Sequence, residues 1–174
     1  MNAYAVILLA LVTAQRLGEL VYARANERRL REAGAVEVGA AHYPLIVAMH
    51  AAWLITLWIW GSRNPLSPSW TLVYVLLQVA RGWVLGSIGR RWTTRVFVVP
   101  DEALVRRGPY RWISHPNYAV VTAEMFVLPL AVGLPWASLV FGVLNVLVLA
   151  WRIRVEGRAL GAIAAPRRSW RAGA

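Results

Sequence analysis

The 174-residue chain contains no cysteine. That excludes disulfides, thiol catalysis and cysteine metal ligands, and carries no information on compartment. Lysine is missing too: all 19 basic residues are arginine, a mark of GC-rich coding from which no function is read. Acidic residues are scarce, 8 against those 19, which leaves a net charge of +11. Such an excess suits nucleic acid or a membrane surface. Here the arginines flank apolar runs and are not interleaved with exposed aromatics, so membrane lipids with anionic headgroups are expected partners and nucleic acid is not. His42 and His50 lie eight residues apart with no acidic partner at ligand spacing, so no metal site is expected. No internal repeat or low-complexity tract is visible, and the chain reads as one domain.

What is present in abundance is apolar surface, 59% of the residues. Four stretches almost free of charge begin near Ala3, Tyr43, Trp70 and Ala119. The spacing predicts helices over 3–24, 43–60 and 70–88, each near the ~20 residues a bilayer span requires. The last stretch, 119–151, is long enough to cross twice. Gly133-Leu134-Pro135 breaks it into halves of roughly 16 residues, about 24 Å each, which predicts a tight hairpin of two short spans. The expected fold is an all-α integral membrane protein with five transmembrane helices. Residues 3–13 do not read as a cleaved signal peptide, because no basic residue precedes them and Gln15, Arg16 and Glu19 stand where the cleavage site would lie.

Charge divides the connections. Arginines crowd the first loop (Arg24, Arg28, Arg29, Arg31), the third (Arg90, Arg91, Arg95, Arg106, Arg107, Arg111) and the C-terminal segment (Arg152, Arg154, Arg158, Arg167, Arg168, Arg171), whereas residues 61–69 hold only Arg63. Five spans put the three arginine-rich segments on one side. The positive-inside rule makes that side cytoplasmic and the N-terminus external, in the inner membrane of a bacterium. Trp53, Trp58, Trp60, Trp70, Trp83 and Trp136 are expected mostly in interfacial belts.

Polar residues within apolar helices are costly and mark cavities or helix contacts. Gln15, Glu19, Tyr22 and Asn26 share one face of the first helix, with Arg16 beside them. That stripe is a candidate substrate-binding surface; the alternative is a structural Arg16–Glu19 pair. His50, Gln78 and Arg81 are expected to make interhelical hydrogen bonds. Asn117 and Glu124 on one hairpin helix, and Asn145, Arg152 and Glu156 on the other, point toward a shared cleft.

The densest polar constellation is the run 106–118, RRGPYRWISHPNY. Gly108-Pro109 is a turn signal, Pro116 keeps His115 out of helical geometry, and Pro116 suits the first position of a following helix. A helix start beside arginines favours an anion. Taken in order, Gly108-Pro109-Tyr110, His115-Pro116-Asn117-Tyr118, a short hairpin and then Arg152-Ile153-Arg154-Val155-Glu156 resemble the isoprenylcysteine carboxyl methyltransferase family. The resemblance covers about residues 90–160. It implies a membrane enzyme that binds S-adenosylmethionine on the cytosolic side and O-methylates a lipophilic substrate reaching it from the bilayer.

On that resemblance Tyr110, His115, Pro116, Asn117, Tyr118 and Glu156 are cofactor contacts, more loosely joined by Glu102, Ala103, Leu104 and Val105. Arg152 is the substrate-facing arginine and, with Glu156, the catalytic pair. Residues 1–88 then form three N-terminal helices, 89–160 the cofactor loop, hairpin and Arg/Glu segment, and 161–174 a short basic tail. Gly157 follows Glu156 where the family commonly has a second acid, and the tail is short. Gln15 to Leu20, Asn26 and His42-Tyr43 look more like a bacterial subgroup that methylates alkylpyrones or alkylresorcinols, so the substrate is either of that kind or prenylcysteine-like. Two rivals stay open: an NADPH-dependent membrane reductase of the sterol type, and a scaffold whose polar stripes only join helices.

Overall fold

A computed structural model describes residues 1–40, 43–98 and 105–164, with the side chains of Glu156 and of 158–164 outside the description. His42 and the loosely matched Glu102, Ala103 and Leu104 also lie outside the described residues.

Helix α1, Ala3–Glu32, starts on an N-cap: the Asn2 carboxamide oxygen accepts from the Tyr4 and Ala5 amides at 3.1 and 3.2 Å. It runs two turns beyond the expected end, because 25–32 is rich in Ala, Arg, Glu and Leu, all good helix formers. α2, Tyr43–Trp60, has the expected bounds, and α3, Pro68–Ile88, begins two residues early with proline in its first turn. α4, Pro116–Ala131, and α5, Pro135–Ala164, form the hairpin.

The hairpin turn follows from its sequence. Gly133 has φ +70, its amide donates to Leu130 O and the Leu134 amide to Pro129 O at 2.7 Å, a Schellman closure that glycine adopts freely. Pro135 then opens α5. The Asn64 side chain caps the turn from outside, donating to Val132 O at 2.9 Å.

Four helices are long and apolar enough to cross a membrane: α1, α2, α3 and α5. The expected hairpin is present, with arms of unequal length. α5 has 30 residues, and α4 has 16, about 24 Å, less than the ~30 Å of a hydrocarbon core. α4 runs from the 105–115 loop to the turn capped by Asn64, packed most closely against α3 and α5 and burying Val120, Glu124, Met125, Val127, Leu128 and Ala131. Leu9, Trp53, Leu57, Tyr74, Met125 and Leu128 are the centre of the core. Trp53, 1% exposed, is therefore a core residue and not part of an interfacial belt, and Trp58 is tied inward by its indole N–H to Thr13 Oγ1 at 3.0 Å.

A second departure from all-α is a two-stranded antiparallel ribbon, β1 (Val36–Val38) against β2 (Val96–Val98), with Glu37 opposite Phe97. Both strands carry valine at their ends, which suits a pleated surface. Arg31 and Arg95 bond Glu37, and Arg95 stacks 4.2 Å from the centre of the Tyr43 ring. Burial alone would raise the Glu37 carboxyl; the hydrogen bonds and charges of Arg95 and Arg31 outweigh it and hold it below the usual range. The same bond to Glu37 raises the Arg95 guanidinium.

Candidate active site

The loop that follows the ribbon docks on the end of α3. Gly108 has φ +56, and a Cβ there would overlap the Ser87 side chain, so the close approach requires glycine. Arg107 Nε donates to Ser87 O at 2.6 Å. A 3-10 turn, Gly108–Arg111, buries Pro109 and delivers Tyr110, whose hydroxyl is pushed up to about 12 by burial. His115 then caps α4 with φ −131 and ψ 61, clear of helical geometry as the following proline demands.

These turns enclose a cavity of about 650 Å³ whose wall includes Val105, Tyr110, His115, Asn117, Tyr118 and, from α5, Arg152. Arg91, Arg95, Arg106 and Arg111 line it as well, so among the described residues its charged lining is wholly cationic. Arg152 is 7% exposed, and its guanidinium carbon lies 5.3 Å from the centre of the Tyr118 ring. Tyr118 in turn stacks on His115, with centroids 5.0 Å apart and planes 7° apart. Pro116 has no N–H, and the Tyr118 and Ala119 amides donate to His115 O. The Asn117 amide is left at the helix start to meet an anion. Asn117 Oδ1 and Arg152 Nε are buried with no hydrogen-bond partner.

A shallower, mostly apolar groove of about 380 Å³ meets this cavity at His115 and Tyr118 and runs between α4 and α5 along Ala119, Thr122, Val146, Leu149 and Ile153. Glu156 follows Arg152 by one turn of α5.

The stripe on α1 is drawn elsewhere. Gln15 Nε2 donates to Glu19 and Gln78, and Arg16 bonds Glu19 at 3.1 Å and Glu124 at 2.7 Å. Arg81 grips Glu19 with two bonds of 2.6 Å and reaches Glu124 at 2.9 Å, while Gln78 Nε2 donates to the other Glu124 oxygen at 2.9 Å. The expected interhelical bonds of Gln78 and Arg81 are thus present. His50 differs: its Nδ1 meets Ile46 O of its own helix at 2.9 Å. Neither Gln15 nor Glu19 lines the cavity. Asn26 is fully buried and donates to Trp92 O at 2.9 Å, so it meets the site through Trp92, a lining residue. Asn145 donates to Thr122 on the hairpin partner at 3.1 Å.

The isoprenylcysteine carboxyl methyltransferase (ICMT) family profile matches residues 70–162, from α3 through the loop and hairpin to the described end of α5. The chain belongs to this family. Two bacterial relatives extend the similarity over 88% of the chain: uncharacterized protein YpbQ of Bacillus subtilis strain 168 is 38% identical across 95% of its length, and an uncharacterized protein of Haemophilus influenzae 25% identical across 93%. No solved structure matches the chain. As an ICMT family member with four helices suited to a bilayer, the chain is of a membrane methyltransferase type.

Within the ICMT cavity the residues that sequence reasoning missed are Trp92 and the β2 strand, which supplies Val96, Phe97 and Val98 to the wall. Their signal was faint. Val-Phe-Val is only three residues long, and its partner strand lies far away in sequence.

Proposed function

We propose that the chain is an S-adenosylmethionine-dependent O-methyltransferase acting on the carboxylate or acidic hydroxyl of a lipophilic substrate, prenylcysteine-like or of the alkylpyrone or alkylresorcinol kind. The observation that carries the reading is the meeting of two unlike cavities at His115 and Tyr118: one arginine-lined, the other apolar and open between α4 and α5. A polar reaction centre joined to a bilayer-facing groove suits a charged head with an oily tail.

The residues fit the cofactor. The Asn117 amide and the helix start suit its carboxylate, the orphaned Asn117 Oδ1 its ammonium, and the stacked His115 and Tyr118 rings offer aromatic contact. Pro116 holds that start, Tyr110 and Val105 close the wall, and Glu156, one turn beyond Arg152, is assigned the ribose hydroxyls or the ammonium. Glu102, Ala103 and Leu104 keep their place in the cofactor-binding set by resemblance. Bound there, S-adenosylmethionine would supply an electrophilic methyl carbon for in-line attack by an anionic oxygen, the O–C bond forming as the C–S bond breaks and its pair stays on sulfur in the departing thioether.

Arg152 pairs with that oxygen and holds it in line, and the buried setting excludes water. An ionised acceptor needs no general base, and burial, which raises the Tyr110 hydroxyl, disfavours its phenolate. Gln15, Glu19 and Asn26 contribute through neighbours: Asn26 holds Trp92 in the wall. The whole chain works as one domain, 1–88 as the helical frame, 89–160 as the reaction segment and 161–174 as a basic tail, with the arginine-rich ends on the cytoplasmic face of the bacterial inner membrane and the N-terminus outside.

Calorimetric titration of the purified protein with S-adenosylmethionine tests this. Binding that disappears in Glu156→Ala and His115→Ala is expected; no binding by the unaltered protein overturns the assignment.

A further inference from the structure

Six polar side chains from α1, α3 and α4 meet between those helices, away from the cavity wall. Arg16 and Arg81 balance Glu19 and Glu124, and both carboxylates accept from both guanidiniums and from a glutamine. Apart from Arg16 Nε, which is buried without a partner, the set is paired within itself and both carboxylates are saturated. What it does is fix helices against one another.

The bonds are shared unequally. Arg81 grips Glu19 with two bonds of 2.6 Å, which ties α3 to α1. α4 joins that pair through Glu124, whose Oε2 accepts from Arg16 at 2.7 Å and Arg81 at 2.9 Å while Oε1 accepts from Gln78 at 2.9 Å. Glu124 stands two turns, about 10.5 Å, below Asn117 on the same face of a 16-residue helix. Any slide or roll of α4 at Glu124 is therefore passed to its start.

We propose that Glu124 is a positioning residue for methyl transfer: by clamping α4 to Arg16 and Arg81 it sets the height and rotation of His115, Asn117 and Tyr118 against Arg152. The proposal rests on the methyltransferase reading. Replacing Glu124 alone leaves two guanidiniums facing one carboxylate and endangers folding, so the informative variant is Arg16→Gln/Glu124→Gln. It is charge-balanced, keeps the double Arg81–Glu19 bond, and leaves Gln78 a partner at position 124.

Because the chain has no cysteine, nitroxide labels are placed cleanly on Arg28→Cys in α1 and Ser114→Cys just before α4, and their separation is read by pulsed electron resonance. A single narrow distance is expected with native Arg16 and Glu124, and a shifted or broadened one in the double variant. In the unlabelled double variant KM for S-adenosylmethionine is expected to rise about tenfold and kcat/KM to fall about a hundredfold, the cost of about 1 Å of misplacement. Loss of folded protein alone does not move KM. An unchanged distance, or a changed distance with unchanged kinetics, overturns the proposal. If the distance shifts but the unaltered protein transfers no methyl group, the clamp on α4 stands and the methyltransferase reading, with the role in transfer, falls.

Discussion

The Arg152 guanidinium lies 5.3 Å from the centre of the Tyr118 ring, joining the last helix to the first turn of α4 across the wall of the arginine-lined cavity. Thirty-four positions separate the two in the chain, and the hairpin turn at Gly133 brings them together. The contact leaves the buried Arg152 Nε without a partner, a donor beside the place assigned to the anionic acceptor.

Removing that donor has a calculable effect. A hydrogen bond to a charged group contributes about 1.5–3 kcal/mol, so Arg152→Ala is expected to lower kcat/KM about 10- to 100-fold while the affinity for S-adenosylmethionine changes little. Steady-state kinetics beside cofactor titration separate the two. An equal loss of both would move Arg152 to the cofactor side.

Tyr118 is expected to act through its ring, which stacks on His115 and underlies Arg152. Tyr118→Phe retains that surface and most of the activity; Tyr118→Ala removes it and weakens cofactor binding about tenfold, near the upper reach of an aromatic contact of ~0.5–1.5 kcal/mol. Titration of the two variants checks the order. Phe as damaging as Ala would place the weight on the hydroxyl.

Stability divides the ion pairs. Glu19 is paired twice with Arg81, which is 4% exposed, so Glu19→Gln strands a buried charge and is expected to cost about 3–5 kcal/mol. Arg31, half exposed in its pair with Glu37, is worth no more than about 1 kcal/mol, and Arg31→Ala should unfold almost as the unaltered protein does. Denaturant unfolding in detergent micelles measures both. Equal effects would contradict the burial argument.

The ribbon carries a pH dependence of known sign. Glu37 is held below its ordinary value of 4.5, so the folded state favours the carboxylate. Its contribution is fully present above 4.5 and is lost as pH falls through the lower folded value. Amide protection in Val36–Val38 and Val96–Val98, taken relative to the intrinsic exchange rate at each pH, is expected to fall on acidification through that window, and Glu37→Gln should flatten the change. Protection that rises on acidification would reverse the assignment.

Much of this architecture was legible in the sequence because local chemistry dictates it. The bounds of α2 follow from an uninterrupted apolar run, the hairpin from Gly133-Leu134-Pro135, and the start of α4 from His115-Pro116. Arg152 and Tyr118 were singled out by the family resemblance, and the fold puts both on one cavity wall. What stayed hidden depends on distant partners. Gln15 and Glu19 read as a candidate substrate surface or as part of an Arg16–Glu19 pair; the pair is present, and its further partners Arg81 and Glu124 come from two other helices. β1 and β2 are too short to show a period, and the length of α1 past residue 24 depended on helix propensity outside the apolar run.

The most direct test of the central claim is transfer of a labelled methyl group from S-adenosylmethionine by the purified membrane protein, once to a prenylcysteine analogue and once to a long-chain alkylpyrone, with Arg152→Ala in parallel. Label in the organic extract of at least one acceptor, lost in Arg152→Ala, is the predicted result. Label in neither extract would contradict the account.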